Sequence, residues 1–208
     1  MKILKTPVEK TTNIGPYHSG RLKRLGIFTL EDLLYHFPNR YEDLTSKKKL
    51  NEVEAGKKEA VEGVVWEIRN VRTRYGKQLT LATINDGTAS IECVWFNQTY
   101  LERLIRTGQR VGLWGKVSIF NKKLAIMNPE YEFLESNKPP IHTSGLVPIY
   151  PETAGVSSKW LRSRIKFILE EAKDLKSYEL LPTDILEKHN LPAWPIAIKY
   201  RLVKVRRI

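Results

Sequence analysis

Two aromatic residues four apart, Phe96 and Tyr100, and a basic cluster, Arg69, Arg72, Arg74 and Lys77 with Tyr75 among them, are the residues whose types point to chemistry. That chemistry is recognition. An aromatic ring stacks on an unpaired base, worth roughly 1–3 kcal/mol, and an arginine fork donates two parallel hydrogen bonds to a phosphate. Phe96 and Tyr100 are therefore assigned to base stacking and the cationic cluster to nucleic-acid phosphates. Lys47, Lys48 and Lys49 form a further basic run that could add phosphate contacts, although a solvated linker explains it more simply. For Tyr100 the plainer alternative is packing against Leu104, one helical turn further on.

No set of residues suits catalysis. His18, His36, His142 and His189 are widely separated and lack metal-ligand spacing. Gly56-Lys57-Lys58 and Gly115-Lys116-Val117 lack the earlier glycine and the hydroxyl of a Gly-x-x-x-x-Gly-Lys-Ser/Thr phosphate loop. Neither a catalytic residue nor a bound metal or cofactor is expected in these residues, and the first-principles reading is a binding module. The single cysteine, Cys93, excludes a disulfide framework and reads as a small buried residue in a strand.

The elements that must position the aromatics begin at Glu59, where the apolar period becomes two. A long first strand runs through Val61, Val65, Ile68 and Val71 to Arg74, and Tyr75-Gly76-Lys77 is a turn. A second strand, Gln78 to Ile84, ends at the hairpin signal Asn85-Asp86-Gly87. In the third strand Ile91, Cys93 and Trp95 face one way and Glu92, Val94 and Phe96 the other. Asn97 is expected to cap a helix whose buried stripe is Leu101, Leu104 and Ile105, closed by Gly108. Strands from Arg110 to Phe120 and from Leu124 to Met127 follow. A helix between the third and fourth of five strands is the chain order of the OB-fold.

The expected fold class is mixed α+β. It comprises a helical N-terminal region over residues 1–50, a five-stranded OB barrel over 55–135, an extended linker with helices over 136–192, and a basic tail over 193–208. In the first region Gly26 is a helix stop. Thr29 is the N-cap of a helix carrying Leu30, Leu33 and Leu34, with Glu31 and Asp32 in its first turn and Pro38 ending it. Ile14-Gly15 ahead of a basic helix resembles half of a helix–hairpin–helix, with Asn13 where a glycine is expected; a purely structural turn fits equally well. Ser157 caps a helix to about Lys173, with Trp160, Leu161, Ile165, Ile168 and Leu169 on its apolar face. Lys159, Arg162, Arg164 and Lys166 line its solvent face, and Pro182 to Leu191 makes a short helix.

Net charge is +12, concentrated at the two ends: residues 1–50 carry 10 basic and 5 acidic side chains, and the last 16 carry 5 basic and no acidic ones. Clustered positive charge favours a polyanion, because neutralised phosphates release counterions. No apolar run approaches the ~20 residues that span a bilayer, and no signal-peptide pattern opens the chain. A cytoplasmic, nucleoid-associated setting is expected, with no membrane partner.

Four motifs in order carry a resemblance to a known family. Leu25 to Asp43 (LGIFTLEDLLYHFPNRYED), Val94 to Leu101 (VWFNQTYL), Met127 to Glu132 (MNPEYE) and Leu146 to Ile165 (LVPIYPETAGVSSKWLRSRI) resemble the N-terminal and wedge region of RecG, the ATP-dependent branched-DNA helicase. The resemblance implies an OB-fold wedge that docks into a stalled replication fork or Holliday junction and acts in DNA repair and recombination. Phe96 and Tyr100 match the aromatics that stack on unpaired bases at the branch. It also implies a helicase motor as partner, with ATP and Mg2+ belonging to that motor, and a monomer on branched and single-stranded DNA. Arg206 and Arg207 would add nonspecific affinity. A truncated gene product, a fragment and a stand-alone wedge all fit the absence of motor motifs. A single-stranded DNA or RNA-binding OB protein and a protein-interaction OB module are the rival readings.

Overall fold

The computed structural model describes residues 4–11, 13–135, 140–171 and 179–202. Lys173, Arg206 and Arg207 lie outside them. The helices are α1 (Pro16–Leu22), α2 (Leu30–Tyr35), α3 (Leu101–Leu104), α4 (Ser158–Glu171), α5 (Thr183–Lys188) and α6 (Trp194–Leu202). The strands are β1 (Arg40–Leu44), β2 (Lys58–Arg72), β3 (Gln78–Asn85), β4 (Ser90–Phe96), β5 (Arg110–Phe120), β6 (Lys123–Phe133) and β7 (Gly145–Ile149). Two compact units result: Met1–Glu42 together with Leu146–Ile208, and Asp43–Gly145. The helical N-terminal region and the C-terminal segment, expected as separate regions, thus form one body.

In the first unit, local signals set the helices and burial sets their packing. Thr29 Oγ1 accepts from Asp32 N at 3.2 Å while the Asp32 carboxylate accepts from Thr29 N at 2.9 Å, a reciprocal cap for α2. Gly26, at φ 76°, supplies the left-handed stop before it. Leu22, Leu33 and Leu34 then pack in one core with Leu161, Ile165 and Ile168 of α4 and with Trp194, Ile198 and Leu202 of α6. β1 and β7 pair as a two-stranded sheet.

The expected basic tail is corrected here: Trp194–Leu202 is helical, and its buried residues recur every four positions. Apolar and basic residues alternate too closely in that stretch for the helical period to stand out. Three polar contacts fix it: Trp194 Nε1 donates to Tyr35 Oη at 2.9 Å, Tyr41 Oη to the Arg201 carbonyl at 2.6 Å, and Tyr150 Oη to the Leu202 carbonyl. Arg162 is likewise not on a solvent face. It is 3% exposed, and its Nη1 donates to the Pro148 carbonyl at 3.1 Å. The start of α4 lies against the connection from β7, which draws the guanidinium inward as a donor to a buried carbonyl. Among the described residues no helix is long and apolar enough to cross a membrane.

The second unit is a closed barrel in the order β2-β3-β4-β6-β5. β2 is long because it pairs twice, through Lys58–Val64 with β5 and through Val64–Arg72 with β3. It turns from one partner to the other at a bulge between Val65 and Glu67. Gly63 sits just before that turn, and a Cβ there would meet Ile84 Cγ2 at 2.6 Å and the Asn85 carbonyl oxygen at 2.7 Å. The interior is filled by Val61, Val65, Ala82, Ile84, Ile91, Cys93, Trp95, Val111, Leu113, Val117 and Ile126, with Leu101 and Ile105 joining from the segment between β4 and β5. Burial pushes the Cys93 thiol far up, which makes it inert.

Three details differ from expectation. Asn97 has φ 56°, so it turns the chain rather than capping a helix. α3 consequently has a single turn, and Leu104 is 45% exposed instead of buried. The last barrel strand continues beyond Met127 to Phe133, because β6 bulges at Asn128-Pro129 opposite the single Gly115 of β5 and then resumes its pairing at Glu130.

Asp86 ties the hairpin between β3 and β4 to the short turn before β2. Its carboxylate accepts from Leu50 N at 2.8 Å, Thr88 Oγ1 at 2.7 Å, Thr88 N at 2.8 Å and Ala89 N at 3.1 Å. Burial alone would raise its pKa, but these donors, Leu50 N–H foremost, outweigh it and hold the group at about 2, below its ordinary 3.8. A lowered folded-state pKa stabilises above the unfolded value and loses that contribution as pH falls through the folded one. Urea midpoints of the wild type should therefore drop between pH 4 and pH 2, and D86N should flatten that limb. Gly63→Ala should cost about 1–3 kcal/mol by overpacking, seen as a lower melting temperature.

Candidate nucleic-acid interface

The site is one rim of the barrel, where β4 ends and the chain turns into α3. Phe96, last residue of β4, alternates with interior-facing Trp95 and so points outward on the face that carries Val94. That outer face is itself apolar, since Leu79, Leu81, Val94 and Ala125 are buried together with Val71, Phe120 and Met127 against them. Phe96 is 37% exposed and Tyr100 57% exposed. The alternative of Tyr100 packed away beneath Leu104 does not describe this surface, where both side chains face solvent.

Backbone and side-chain hydrogen bonds fix the aromatic positions. Phe96 N donates to Asn128 Oδ1 at 3.0 Å, and Asn97 N donates to the Gln78 carbonyl at 2.9 Å. Below them Trp95 Nε1 donates to the Pro129 carbonyl at 2.9 Å. Asn70 on β2 is the hub for the next turn. Its Nδ2 donates to the Thr99 carbonyl at 2.9 Å and to Glu102 Oε2 at 2.6 Å, while its Oδ1 accepts from Thr80 Oγ1 at 2.7 Å. Thr80 Oγ1 also reaches the Gln98 carbonyl at 3.0 Å, and the Gln98 side chain accepts from Tyr100 Oη at 3.1 Å. Residues 97–102 are thereby laced to β2 and β3, and the Tyr100 ring is held outward.

The basic hairpin adjoins this rim by register. Leu79 pairs with Phe96 across β3 and β4, and Arg72 pairs with Gln78 across β2 and β3. The turn from Thr73 to Lys77 closes with Thr73 N to the Lys77 carbonyl at 2.8 Å and carries Arg74 and Tyr75 at its tip. Tyr75 is 89% exposed. Arg69, Arg72, Arg74 and Lys77 are all exposed, and only Arg69 is in an ion pair among the described residues, with Glu67 at 3.0 Å. Such a surface pair is weak and exchangeable.

The lysine run is not brought to this rim as a free group. Lys47 pairs with Glu62, and Lys48 pairs with Glu54 at 3.2 Å and Glu59 at 3.5 Å. Glu54, followed by Glu59, holds the Lys48 ammonium above its ordinary range. Lys49 is exposed. Asn70, Thr80, Gln98, Glu102 and Asn128 are the positioning residues that sequence reasoning missed. The available signal was Asn70 itself, a strand-disfavoured residue inside a long apolar strand.

Gly115-Lys116 lies within β5, paired with β2, and Lys57 is held by Glu54 at 2.7 Å.

Closed barrel, strand order and the helix between β4 and β5 define an OB-fold. The model of the RecG wedge domain family matches residues 7–171, and the chain belongs to that family. Among curated relatives, the ATP-dependent DNA helicase RecG of Pasteurella multocida is 30% identical over 180 residues, covering 86% of this chain and 26% of that protein. RecG of Thermotoga maritima is 33% identical over 194 residues, covering 90% and 24%. The chain thus spans about a quarter of the length of these relatives. A solved structure of RecG bound to a three-way DNA junction superposes with a TM-score of 0.79 at 29% identity, over 97% of this chain and 27% of that one.

Asn70→Ala should unlace the turn without touching either ring. Amide exchange at Thr99 and Tyr100 should quicken, with a stability loss of about 0.5–1.5 kcal/mol from the lost hydrogen bonds, since Glu102 is solvated and Thr80 keeps its bond to the Gln98 carbonyl. Unchanged exchange would refute the role assigned to Asn70.

Proposed function

We propose that this chain is the DNA-engaging wedge of a RecG-type ATP-dependent helicase and binds branched DNA, stalled forks and Holliday junctions, in repair and recombination. The observation that carries the reading is the pair of exposed rings, Phe96 and Tyr100, on a rim locked by hydrogen bonds and flanked by a basic hairpin. At a branch point the terminal bases have lost one stacking neighbour. A fixed, solvent-facing ring replaces that neighbour and favours the opened state over the paired one. Because the rim is already ordered, little conformational entropy is lost on binding.

Arg69, Arg72, Arg74, Tyr75 and Lys77 take the backbone of the strand leaving the branch, and Lys47–Lys49 add long-range attraction. These residues all come from one chain, so a monomer suffices. The RecG relative solved on a three-way junction supports this choice of partner. ATP hydrolysis, with its Mg2+, is assigned to a RecG-type motor. The wedge needs neither group to bind DNA.

Replacing both rings, F96A/Y100A, should weaken binding to a three-way junction by about tenfold or more per ring removed, while affinity for plain duplex changes little. Fluorescence anisotropy with junction, duplex and single strand of equal length checks this. Equal losses on junction and duplex would sink stacking at the branch. A wild-type preference for the single strand over the junction would point to a general single-strand binder. An affinity insensitive to salt would point to a protein-interaction module.

A further inference from the structure

The first unit contains a cationic aromatic ladder that the wedge mechanism leaves unused. The Arg21 guanidinium lies 3.4 Å from the centre of the Tyr17 ring. Tyr17 meets His18 edge to face at 5.1 Å, His18 stacks on Trp160 at 4.4 Å and 15°, and the Arg164 guanidinium sits 5.6 Å from the Trp160 ring. Five side chains from α1 and α4 thus form one run with a guanidinium at each end.

Its polar balance is incomplete. Arg21 Nη1 donates to the Tyr17 carbonyl at 2.9 Å, but the Nε atoms of Arg21 and Arg164 are buried without a hydrogen-bond partner. Neither guanidinium meets a carboxylate among the described residues. Arg21 is also pressed close to Gly155, where a Cβ would lie 2.4 Å from its Nε. Side chains that serve only as packing do not need two unneutralised arginines. Aromatic faces hold each fork flat and pre-oriented, the arrangement that suits a phosphate. The basic helix after Ile14-Gly15, which the sequence leaves between a structural and a phosphate-facing role, supplies Arg21.

We propose that this ladder on α1 and α4 is a second nucleic-acid contact, in which Arg21 and Arg164 take backbone phosphates of duplex DNA and Tyr17, His18 and Trp160 hold them in place. The proposal rests on DNA being the partner, but not on base stacking at the barrel rim. Phosphate contacts carry no branch specificity, so this site contributes to every DNA substrate alike.

The test uses the full chain with a duplex and a three-way junction across a salt series. R21Q/R164Q should flatten the slope of log affinity against log salt by roughly one for each phosphate left unneutralised. Both substrates should weaken by the same factor, unlike the junction-selective loss from removing Phe96 and Tyr100. Should the double variant fail to melt cooperatively, R164Q alone carries the test, since Arg164 donates no hydrogen bond among the described residues.

A second readout is the His18 ring. Desolvation first, then Arg164 and Arg21, lower its pKa, and those two arginines are the charged groups facing it. Phosphate on the guanidiniums should raise that pKa and shift its ring proton resonances when duplex is added. An unchanged salt slope in the variants, or an unmoved His18, overturns the second contact and leaves the wedge reading standing. If the wild type binds neither substrate, both fall.

Discussion

Barrel closure rests on one strand serving two neighbours. β2 hydrogen-bonds β5 with its first half and β3 with its second, so it must coil sharply near Val65. The bulge supplies the turn, and Gly63 lets Ile84 and Asn85 pass where a side chain would collide. A closed sheet leaves no edge for another chain to extend. The sharp coil also carries Asn70 and Arg72 around to the rim where β4 ends. Without it the hub for residues 97–102 and the basic hairpin would lie on another face.

The rim combines satisfied polar groups with unsatisfied apolar ones. Every bond that holds residues 96–102 in place is internal, through Asn128, Gln78, Asn70 and Thr80. Phe96 and Tyr100 are left as the parts that gain from a partner. Exposed apolar area on a rigid support is what a stacking surface requires, because rings that moved freely would lose entropy on binding. The surrounding cations divide by environment. Lys47 and Lys48 are engaged by carboxylates of their own unit, whereas Arg74 and Lys77 extend from a turn into water.

Much of this was legible from local chemistry. Period-two patterning marked β2 to β5, Thr29 and Ser157 marked helix starts, and the faces of β4 followed from alternation alone. Phe96 ends that strand and Tyr100 follows four residues later at the start of α3, both exposed. The errors share one cause, which is that tertiary partners decided the outcome. Leu104 fits a helical stripe, but the turn at Asn97 leaves room for a single helical turn. Arg162 reads as solvent-facing until the Pro148 carbonyl claims it. Trp194, Ile198 and Leu202 have helical spacing, yet only Tyr35, Tyr41 and Tyr150, more than a hundred positions earlier or across the core, show why that helix is held. The union of both chain ends in one core has no local signature.

That union has a consequence for biosynthesis. The barrel segment lies between the two parts of the first unit, so on the ribosome it can complete its fold while α1 and α2 still wait for α4 and α6. At roughly 5–20 residues per second, the interval between emergence of Glu42 and of Trp194 is on the order of ten seconds. Throughout it, the leucines of α1 and α2 lack their eventual cover. Packing of α6 against α1 and α2 must therefore follow synthesis of the whole barrel segment, and the core of the first unit closes only after that delay.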